Sequence, residues 1–238
     1  MHFDLSEERQ MLADTASRFI ADRYDIRTRH ASAERDEGFN RETWAEFADL
    51  GLIGALLPPE VGGYGGTGED IAVVFESLGH GLVVEPFLAT GILGAGPIAT
   101  AGSAAQRAIL EDVSAGKLLL AVAHGEPDSR YEMARVATRA TPTDGGWQLS
   151  GKKAVVLNGD TAEKLVISAR TGGDVFSRFV LQQGIVDRGI GTERRTVQSP
   201  PCGPKSHGLG IRPQRNRQRG GREPGDQRDG RFDSQGQL

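Results

Sequence analysis

The chain has 238 residues, of which 37% are apolar, 25% charged and 6% aromatic, enough for one large domain or two small ones. Residues 187–238 carry 11 Lys or Arg against 6 Asp or Glu, whereas residues 1–186 carry 17 against 26, a net charge of −9. A single cysteine, Cys202, excludes an internal disulfide and a multi-thiolate metal site within one chain. No apolar run reaches about 18 residues, and no basic and then apolar stretch follows Met1, so we expect a cytoplasmic protein without a membrane span.

The first half of the chain predicts five helices. A 3.6-residue period of apolar side chains starts at Leu5, and Ser6 is a suitable N-cap for it. Asn40 can cap the second helix, and Gly51 can end it in the left-handed conformation. Gly116 ends the fifth. The predicted helices are residues 5–34, the segment between Asn40 and Gly51, and residues 69–78, 82–101 and 103–115.

Beyond Gly116 the pattern changes to short apolar or alternating runs, separated by Pro, Asp-Gly and Gly-Gly turns. The predicted strands lie within residues 118–124, 134–140, 147–157, 165–169 and 175–181. Because the helices precede the strands and do not alternate with them, the sequence predicts an α+β fold with segregated layers. The same order argues against a doubly wound parallel sheet.

The common signatures of nucleotide-binding, hydrolytic and metal sites are missing from the sequence. Residues 62–68 are rich in glycine, but they lack the Lys-Ser/Thr of a phosphate-binding loop, and no serine lies in a Gly-x-Ser-x-Gly elbow. The five histidines have no metal-ligand spacing, and only His124 lies at a predicted strand end, where sites are common. Paired carboxylates lie at helix starts, where the helix dipole explains them. We therefore assign no catalytic residue and no metal ligand.

Several segments, in this order and spacing, resemble the acyl-CoA dehydrogenase family. They are residues 3–10 (FDLSEERQ), 50–54 (LGLIG), 58–66 (PPEVGGYGG) and 76–79 (ESLG). Finer matches resemble the small subunit of pimeloyl-CoA dehydrogenase, and they are residues 21–25 (ADRYD), 85–90 (EPFLAT), 121–126 (AVAHGE), 129–131 (SRY) and 155–160 (VVLNGD). The resemblance covers about residues 1–180.

The resemblance implies a flavoprotein that oxidises acyl-CoA thioesters. In the family a glutamate removes the proton α to the thioester while hydride passes from the β carbon to FAD, which gives the 2-enoyl-CoA. Electron-transfer flavoprotein is the implied electron acceptor, and a homologous large subunit acting on a medium-chain or dicarboxylyl-CoA is the implied partner. Relative to the family we expect a helical domain at residues 1–116, an incomplete antiparallel β-domain at 117–181, and no C-terminal helical bundle.

The resemblance also implies which residues line the site. The candidate cofactor-binding residues are His124, Gly125, Val155, Leu157 and Asn158, and the candidate substrate-binding residue is Ser129. Three of them depart from the family pattern. Gly125 stands where a threonine hydroxyl meets the flavin ring, Val155 replaces an aromatic residue that covers the flavin, and Leu157 replaces a second threonine. Flavin contacts at these positions would therefore come from backbone N–H groups or from water.

Residues 182–238 carry no resemblance to the family and are too poor in apolar side chains to fold. We interpret them as a disordered, out-of-frame tail that follows a frameshift near residues 177–187 in a GC-rich gene. An evolved nucleic-acid-binding arm is the alternative, although one aromatic residue, Phe232, offers little base stacking. Because the family places its base in the C-terminal domain or a partner subunit, we expect the chain alone to be inactive. A non-catalytic subunit that stabilises a catalytic partner is a further alternative.

Overall fold

The computed structural model describes residues 4–143, 146–172, 175–182 and 209–210, the last two ranges as backbone. The interpretation of the tail as out of frame, and its nucleic-acid alternative, lie almost entirely outside the described residues. Across the described ranges, no helix combines the length and the apolar content needed to cross a bilayer.

Helices occupy the chain as far as Ser114, as the sequence predicted. The described α-helices are α1 (Glu7–Arg23), α2 (Ile26–Ala33), α3 (Arg41–Asp49), α4 (Gly68–His80), α5 (Ala95–Ala101) and α6 (Ala104–Ser114). Two short 3-10 helices span Gly54–Leu56 and Pro59–Val61, and a π-helix spans Phe87–Gly94.

Side-chain caps explain where the helices begin. Ser6 and Asn40 cap α1 and α3 as predicted, each accepting a hydrogen bond from a first-turn N–H. Thr67 and Ser103 form reciprocal capping boxes at α4 and α6. The predicted single helix over residues 5–34 is wrong, because Asp25 accepts a hydrogen bond from Thr28 N at 2.7 Å and starts a separate helix.

The segment predicted as one buried helix at residues 82–101 is divided into the π-helix and α5. Gly94, at the end of the π-helix, lies so close to Leu120 that a Cβ at this glycine would collide with the leucine side chain. Phe87, at its start, meets Trp44 and Phe47 edge-to-face at centroid distances of 5.0 and 5.1 Å. The π-helix thus contacts the aromatic core at one end and the sheet at the other.

The sheet follows the helices, which confirms the predicted α+β order. Its strands are β1 (Leu120–Ala123), β2 (Arg139–Thr143), β3 (Gly146–Ser150), β4 (Lys164–Gly172), β5 (Val175–Gln182) and β6 (Leu209–Gly210).

The sheet is mixed, so the expectation of antiparallel pairing holds for only part of it. β4 runs parallel to β1 and β2 and antiparallel to β5, while β3 is antiparallel to β2 and parallel to β6. β1 pairs with the first half of β4 and β2 contacts it further along, at Arg170. Residues 124–138 therefore leave the sheet and return to it on the same edge of β4.

Two polar contacts hold the sheet on the helices. Thr90 in the π-helix is fully buried, and its hydroxyl donates to Leu120 O at 3.1 Å and accepts from Leu120 N at 3.2 Å. Glu163 accepts from Leu119 N at 2.6 Å and from the guanidinium of Arg41 at 2.9 Å. Both contacts hold the start of β1, at Leu119 and Leu120. They thereby determine the position of the carboxyl end of the strand.

We predict that Thr90→Val lowers the free energy of unfolding by about 1–3 kcal/mol, because both backbone groups of Leu120 lose their buried partner. Thr100→Val is the matched control, since that hydroxyl bonds the exposed carbonyl of Gly96 and its loss costs within about 0.5 kcal/mol. Denaturant unfolding of the two variants measures the difference. Equal effects would contradict the role assigned to the Thr90 hydroxyl.

Candidate functional site

The candidate site is built on the loop that leaves β1, residues 124–138, which we name the site loop. It contains turns but neither helix nor strand. Regular ladders therefore do not satisfy its backbone N–H and C=O groups, and side chains must do so wherever water is excluded.

The carboxylate of Glu126 holds together the two ends of the site loop. It accepts hydrogen bonds from Ala137 N at 2.7 Å, from Thr138 N at 2.9 Å and from the Thr138 hydroxyl at 2.6 Å. Its fourth partner is the ammonium of Lys153 at 2.8 Å. Because carboxylates accept charge-assisted hydrogen bonds strongly, these contacts close the loop at its base.

Lys153 and Glu126 form a buried ion pair, with side chains only 11% and 6% exposed. The Lys153 ammonium also donates to His124 O and to the Ser168 hydroxyl, both at 3.1 Å. Burial alone would raise the pKa of Glu126, but the hydrogen bonds from Lys153, Thr138 and Ala137 outweigh it and lower the pKa to about 2. Burial lowers the pKa of Lys153, and Glu126 partly offsets the decrease.

The imidazole of His124 belongs to the same network. Its Nδ1 lies 2.9 Å from the Ser168 hydroxyl, and its Nε2 lies 3.0 Å from Met133 O. A carbonyl can only accept, so Nε2 carries a proton and donates to Met133 O. Ser168 accepts from Lys153 at 3.1 Å and can donate to Nδ1. Both ring nitrogens of His124 and its carbonyl oxygen are thus engaged within the protein.

Ser129, the predicted substrate-binding residue, lies in a turn of the site loop. Its hydroxyl accepts from Glu126 N at 3.1 Å and donates to Glu126 O at 3.0 Å, and the residue is buried. The hydroxyl therefore stabilises the local turn, and its contact with substrate stays a prediction.

The second predicted segment lies against the first. Ala154 N donates to Gly125 O at 2.9 Å, so the segment around Ala154 contacts the loop directly after β1. Val155 and Leu157 are 92% and 49% exposed, and Val155 and Asn158 have φ angles of 54° and 52°. The structure thus brings together the two groups of candidate residues.

The prediction of a strand through residue 157 is wrong beyond Ser150. Gly151 packs so tightly on Thr138 that a Cβ there would collide with the threonine, and the buried ammonium of Lys153 follows two residues later. A left-handed φ at Val155 then breaks the extended geometry that a strand requires.

Three residues of the network were not among the sequence-predicted site residues: Glu126, Lys153 and Ser168. Lys152 and Lys153 are adjacent and alike in sequence, but only the side chain of Lys153 is buried, at 11% exposed. The pairing of β1 with β4, Ala123 opposite Ile167, places Ser168 beside His124, a contact 44 residues distant along the chain. The sequence did contain one signal for this network: Glu126 lies at a strand end, and Lys153 lies next to an apolar run.

The described residues contain two buried carboxylates, Glu126 and Glu85. Glu85 lies among the helices, where it accepts from the Tyr24 hydroxyl at 2.8 Å, and burial raises the pKa of Glu85. No cluster of three or more His, Cys, Asp or Glu suited to a metal occurs in the part of the chain that the structure describes. Within that part, the groups at the site that could contact a ligand are backbone N–H and C=O groups and apolar side chains, while Glu126 and Lys153 are paired with each other.

Comparison with known proteins identifies the helical region. Residues 6–117 match the family described as acyl-CoA dehydrogenase, N-terminal domain. Benzylmalonyl-CoA dehydrogenase of Aromatoleum aromaticum is 24% identical over 197 residues, which make up 81% of this chain and 52% of that protein. The chain spans about half the length, or less, of the curated relatives that it matches.

Solved structures share the fold of the helices and the sheet. The FAD complex of PigA has a TM-score of 0.69 at 24% identity, over 89% of this chain and 56% of the matched chain. The ChsE4-ChsE5 complex from Mycobacterium tuberculosis has a TM-score of 0.68 at 24% identity, over 89% of this chain and 54% of the matched chain. At this level of identity the likeness establishes the fold.

We predict that Glu126→Gln lowers the free energy of unfolding by about 3 kcal/mol at neutral pH, because it leaves the ammonium of Lys153 buried without its counter-ion. The folded pKa of about 2 lies below the ordinary value of 4.5, so the ion pair stabilises the fold above pH 4.5 and this stability is lost as the pH falls toward 2. The gap between wild type and variant should therefore narrow over that window in denaturant unfolding.

Glu132→Gln is the matched control, since that carboxylate is 72% exposed and lies 3.8 Å from its arginine partner. We expect the control to retain the wild-type pH profile. A constant gap between wild type and Glu126→Gln from pH 7 to pH 2 would contradict the assignment.

Proposed function

We propose that the chain, whose residues 6–117 match the acyl-CoA dehydrogenase N-terminal domain, forms the helical part and the first strands of an FAD-dependent acyl-CoA dehydrogenase. The observation that carries the proposal is the hydrogen bond from Ala154 N to Gly125 O, since it joins the two segments that the resemblance assigns to the flavin. The proposed boundary between the helical and β-domains, at residue 116, falls between Ser114 at the end of α6 and Leu120 at the start of β1.

The surface beside the carboxyl end of β1 suits the ring system of a flavin. Val155 and Leu157 expose apolar side chains, which can cover an aromatic face, next to the backbone of Gly125 and Asn158, which can hydrogen-bond a ring edge. FAD supplies the hydride acceptor of the reaction when it is bound. The chain's own residues bind and orient that ring, and Gly125 places no side chain beside it, while the position where a Cβ would lie is 3.0 Å from Ala154 O.

Neither buried carboxylate is suited to remove the α proton. Glu126 is saturated by four hydrogen bonds, and its pKa of about 2 makes it a weak base. Glu85 lies among the helices and accepts from Tyr24. We therefore propose that the base comes from a partner subunit or from the C-terminal helical domain of the family, and that this chain alone does not turn over acyl-CoA.

The proposed partners follow from the family and from one relative of known assembly. The ChsE4-ChsE5 protein is a complex of two differently named chains. We propose a homologous large subunit as the partner here, electron-transfer flavoprotein as the electron acceptor, and an acyl-CoA as the substrate. The narrower assignment to the pimeloyl-CoA dehydrogenase small subunit, with a medium-chain or dicarboxylyl-CoA as substrate, stays a prediction.

A second candidate function is a non-catalytic subunit that stabilises a catalytic partner. It is favoured by the glycine and the leucine at the two positions where the family pattern has threonine, Gly125 and Leu157. The two candidates differ in one property, retention of flavin by the purified protein.

We predict that the purified chain retains FAD after dialysis, measured by its visible flavin absorption, and that Val155→Asp raises the FAD dissociation constant by about tenfold or more. The carboxylate would have to lose water against an apolar ring face. A chain that takes up no FAD at saturating concentration favours the non-catalytic subunit instead.

Leu82→Asp is a closely matched control. Leu82 is 60% exposed with φ 51°, so the backbone cost of aspartate is the same as at Val155, but Leu82 lies among the helices. We expect this variant to bind FAD as the wild type does.

Adding an acyl-CoA to the FAD-loaded wild-type chain should leave the flavin absorption unbleached, because the chain supplies no base for the α proton. Bleaching would show that a base is present.

A further inference from the structure

We propose that Lys153 is a positioning residue that fixes the peptide between His124 and Gly125, so that the Gly125 N–H is aimed at the bound flavin or thioester before either arrives. The inference rests on the proposed function and assigns a role to a residue outside the predicted site.

The ammonium of Lys153 has three N–H donors, and three acceptors surround it. They are His124 O at 3.1 Å, a Glu126 carboxylate oxygen at 2.8 Å and the Ser168 hydroxyl at 3.1 Å. His124 and Glu126 belong to the site loop, and Ser168 belongs to β4. The ammonium therefore ties the start of the loop to the middle of the sheet, with all of its donors used.

The bond to His124 O has a consequence for the next residue. The peptide between His124 and Gly125 is trans, as are all described peptides, so its C=O and N–H point in opposite directions. With the carbonyl held toward Lys153, the Gly125 N–H is directed away from the network. Gly125 is exposed and has no side chain, so a ligand can reach this N–H.

The peptide on the other side of Gly125 is fixed as well. Its carbonyl, Gly125 O, accepts from Ala154 N at 2.9 Å, and its N–H, on Glu126, donates to the Ser129 hydroxyl at 3.1 Å. Lys153 and Ala154, adjacent in sequence, thus restrain the two peptides that flank the glycine. Glycine would otherwise sample many backbone conformations, so restraint of both peptides gives a preformed donor.

In a purely structural role, Lys153 would act only as the counter-ion of Glu126. The double variant Glu126→Gln/Lys153→Met distinguishes this role from the positioning of the Gly125 peptide. It contains no unpaired buried charge, so it relieves the instability of Lys153→Met, but His124 O still lacks its donor. Stability should then recover while the Gly125 peptide remains loose.

The experiment compares the full chain as wild type, Lys153→Met, the double variant and the control Lys152→Met, which changes the exposed neighbouring lysine. Thermal unfolding, the FAD dissociation constant and hydrogen exchange of the site-loop amides are measured for each. We expect Lys153→Met to lower the unfolding temperature, to raise the FAD dissociation constant about tenfold and to speed exchange in the site loop, with Lys152→Met unchanged. The double variant should regain stability but keep the weakened FAD binding and the fast exchange.

Recovery of FAD affinity and slow exchange together with stability in the double variant would overturn the proposal, since Lys153 would then act only as a counter-ion. Unchanged exchange in Lys153→Met would overturn it also. Failure of the proposed function gives a different result: the wild type itself takes up no FAD, and hydrogen exchange alone then decides whether Lys153 orders the loop.

Discussion

The candidate site depends on one buried ion pair, Glu126 with Lys153. The site loop has no ladder of its own, and a loop with unsatisfied backbone groups would not stay packed against β4. Glu126 satisfies the far end of the loop through Ala137 and Thr138, and Lys153 satisfies its start through His124 O. Removing two charges from water is costly, and here each ion regains that cost through several hydrogen bonds rather than through its partner alone.

This network has a fixed position because the strand before it is anchored. The hydroxyl of Thr90 occupies both backbone groups of Leu120, while Arg41 and Glu163 hold Leu119 at the start of the same strand. Helices and sheet therefore meet at β1, whose other end begins the site loop. An ordered loop on a rigid strand is the usual arrangement for binding residues, since the scaffold carries the energetic cost of the irregular backbone.

Local signals predicted the helices well, and they failed where distant contacts decide the structure. The caps Ser6 and Asn40 and the stop at Gly51 act within one turn, so the sequence contains all that is needed to place them. The break after Tyr24 also has a local signal, the cap that Asp25 forms on Thr28 N, which the apolar period alone does not reveal. The division of residues 82–101 instead goes with a distant contact, the close approach of Gly94 to Leu120 in the sheet.

The site shows the same limit. Residues 152–157 resemble a strand in their apolar pattern. The partners of Lys153 on the site loop and on β4, together with the left-handed φ of Val155, explain why they form none. The sequence places His124 and Gly125 at a strand end. It does not predict that both ring nitrogens of His124 have partners within the protein. The fold decides that Lys153 is buried and Lys152 exposed, and the sequence pattern around the two lysines does not predict this.

The departures from the family pattern and the network have a common physical explanation. A threonine hydroxyl can reach a flavin from a backbone that moves slightly, because its side chain can rotate, whereas a backbone N–H can serve only if the peptide itself is held. Gly125 lacks the hydroxyl, and the peptides on either side of it are the ones that Lys153, Ala154 and Ser129 restrain. In the proposed function, backbone donors at Gly125 replace the side-chain donors of the family pattern, and such donors require a firmly held backbone. The ion pair beneath the site loop restrains that backbone.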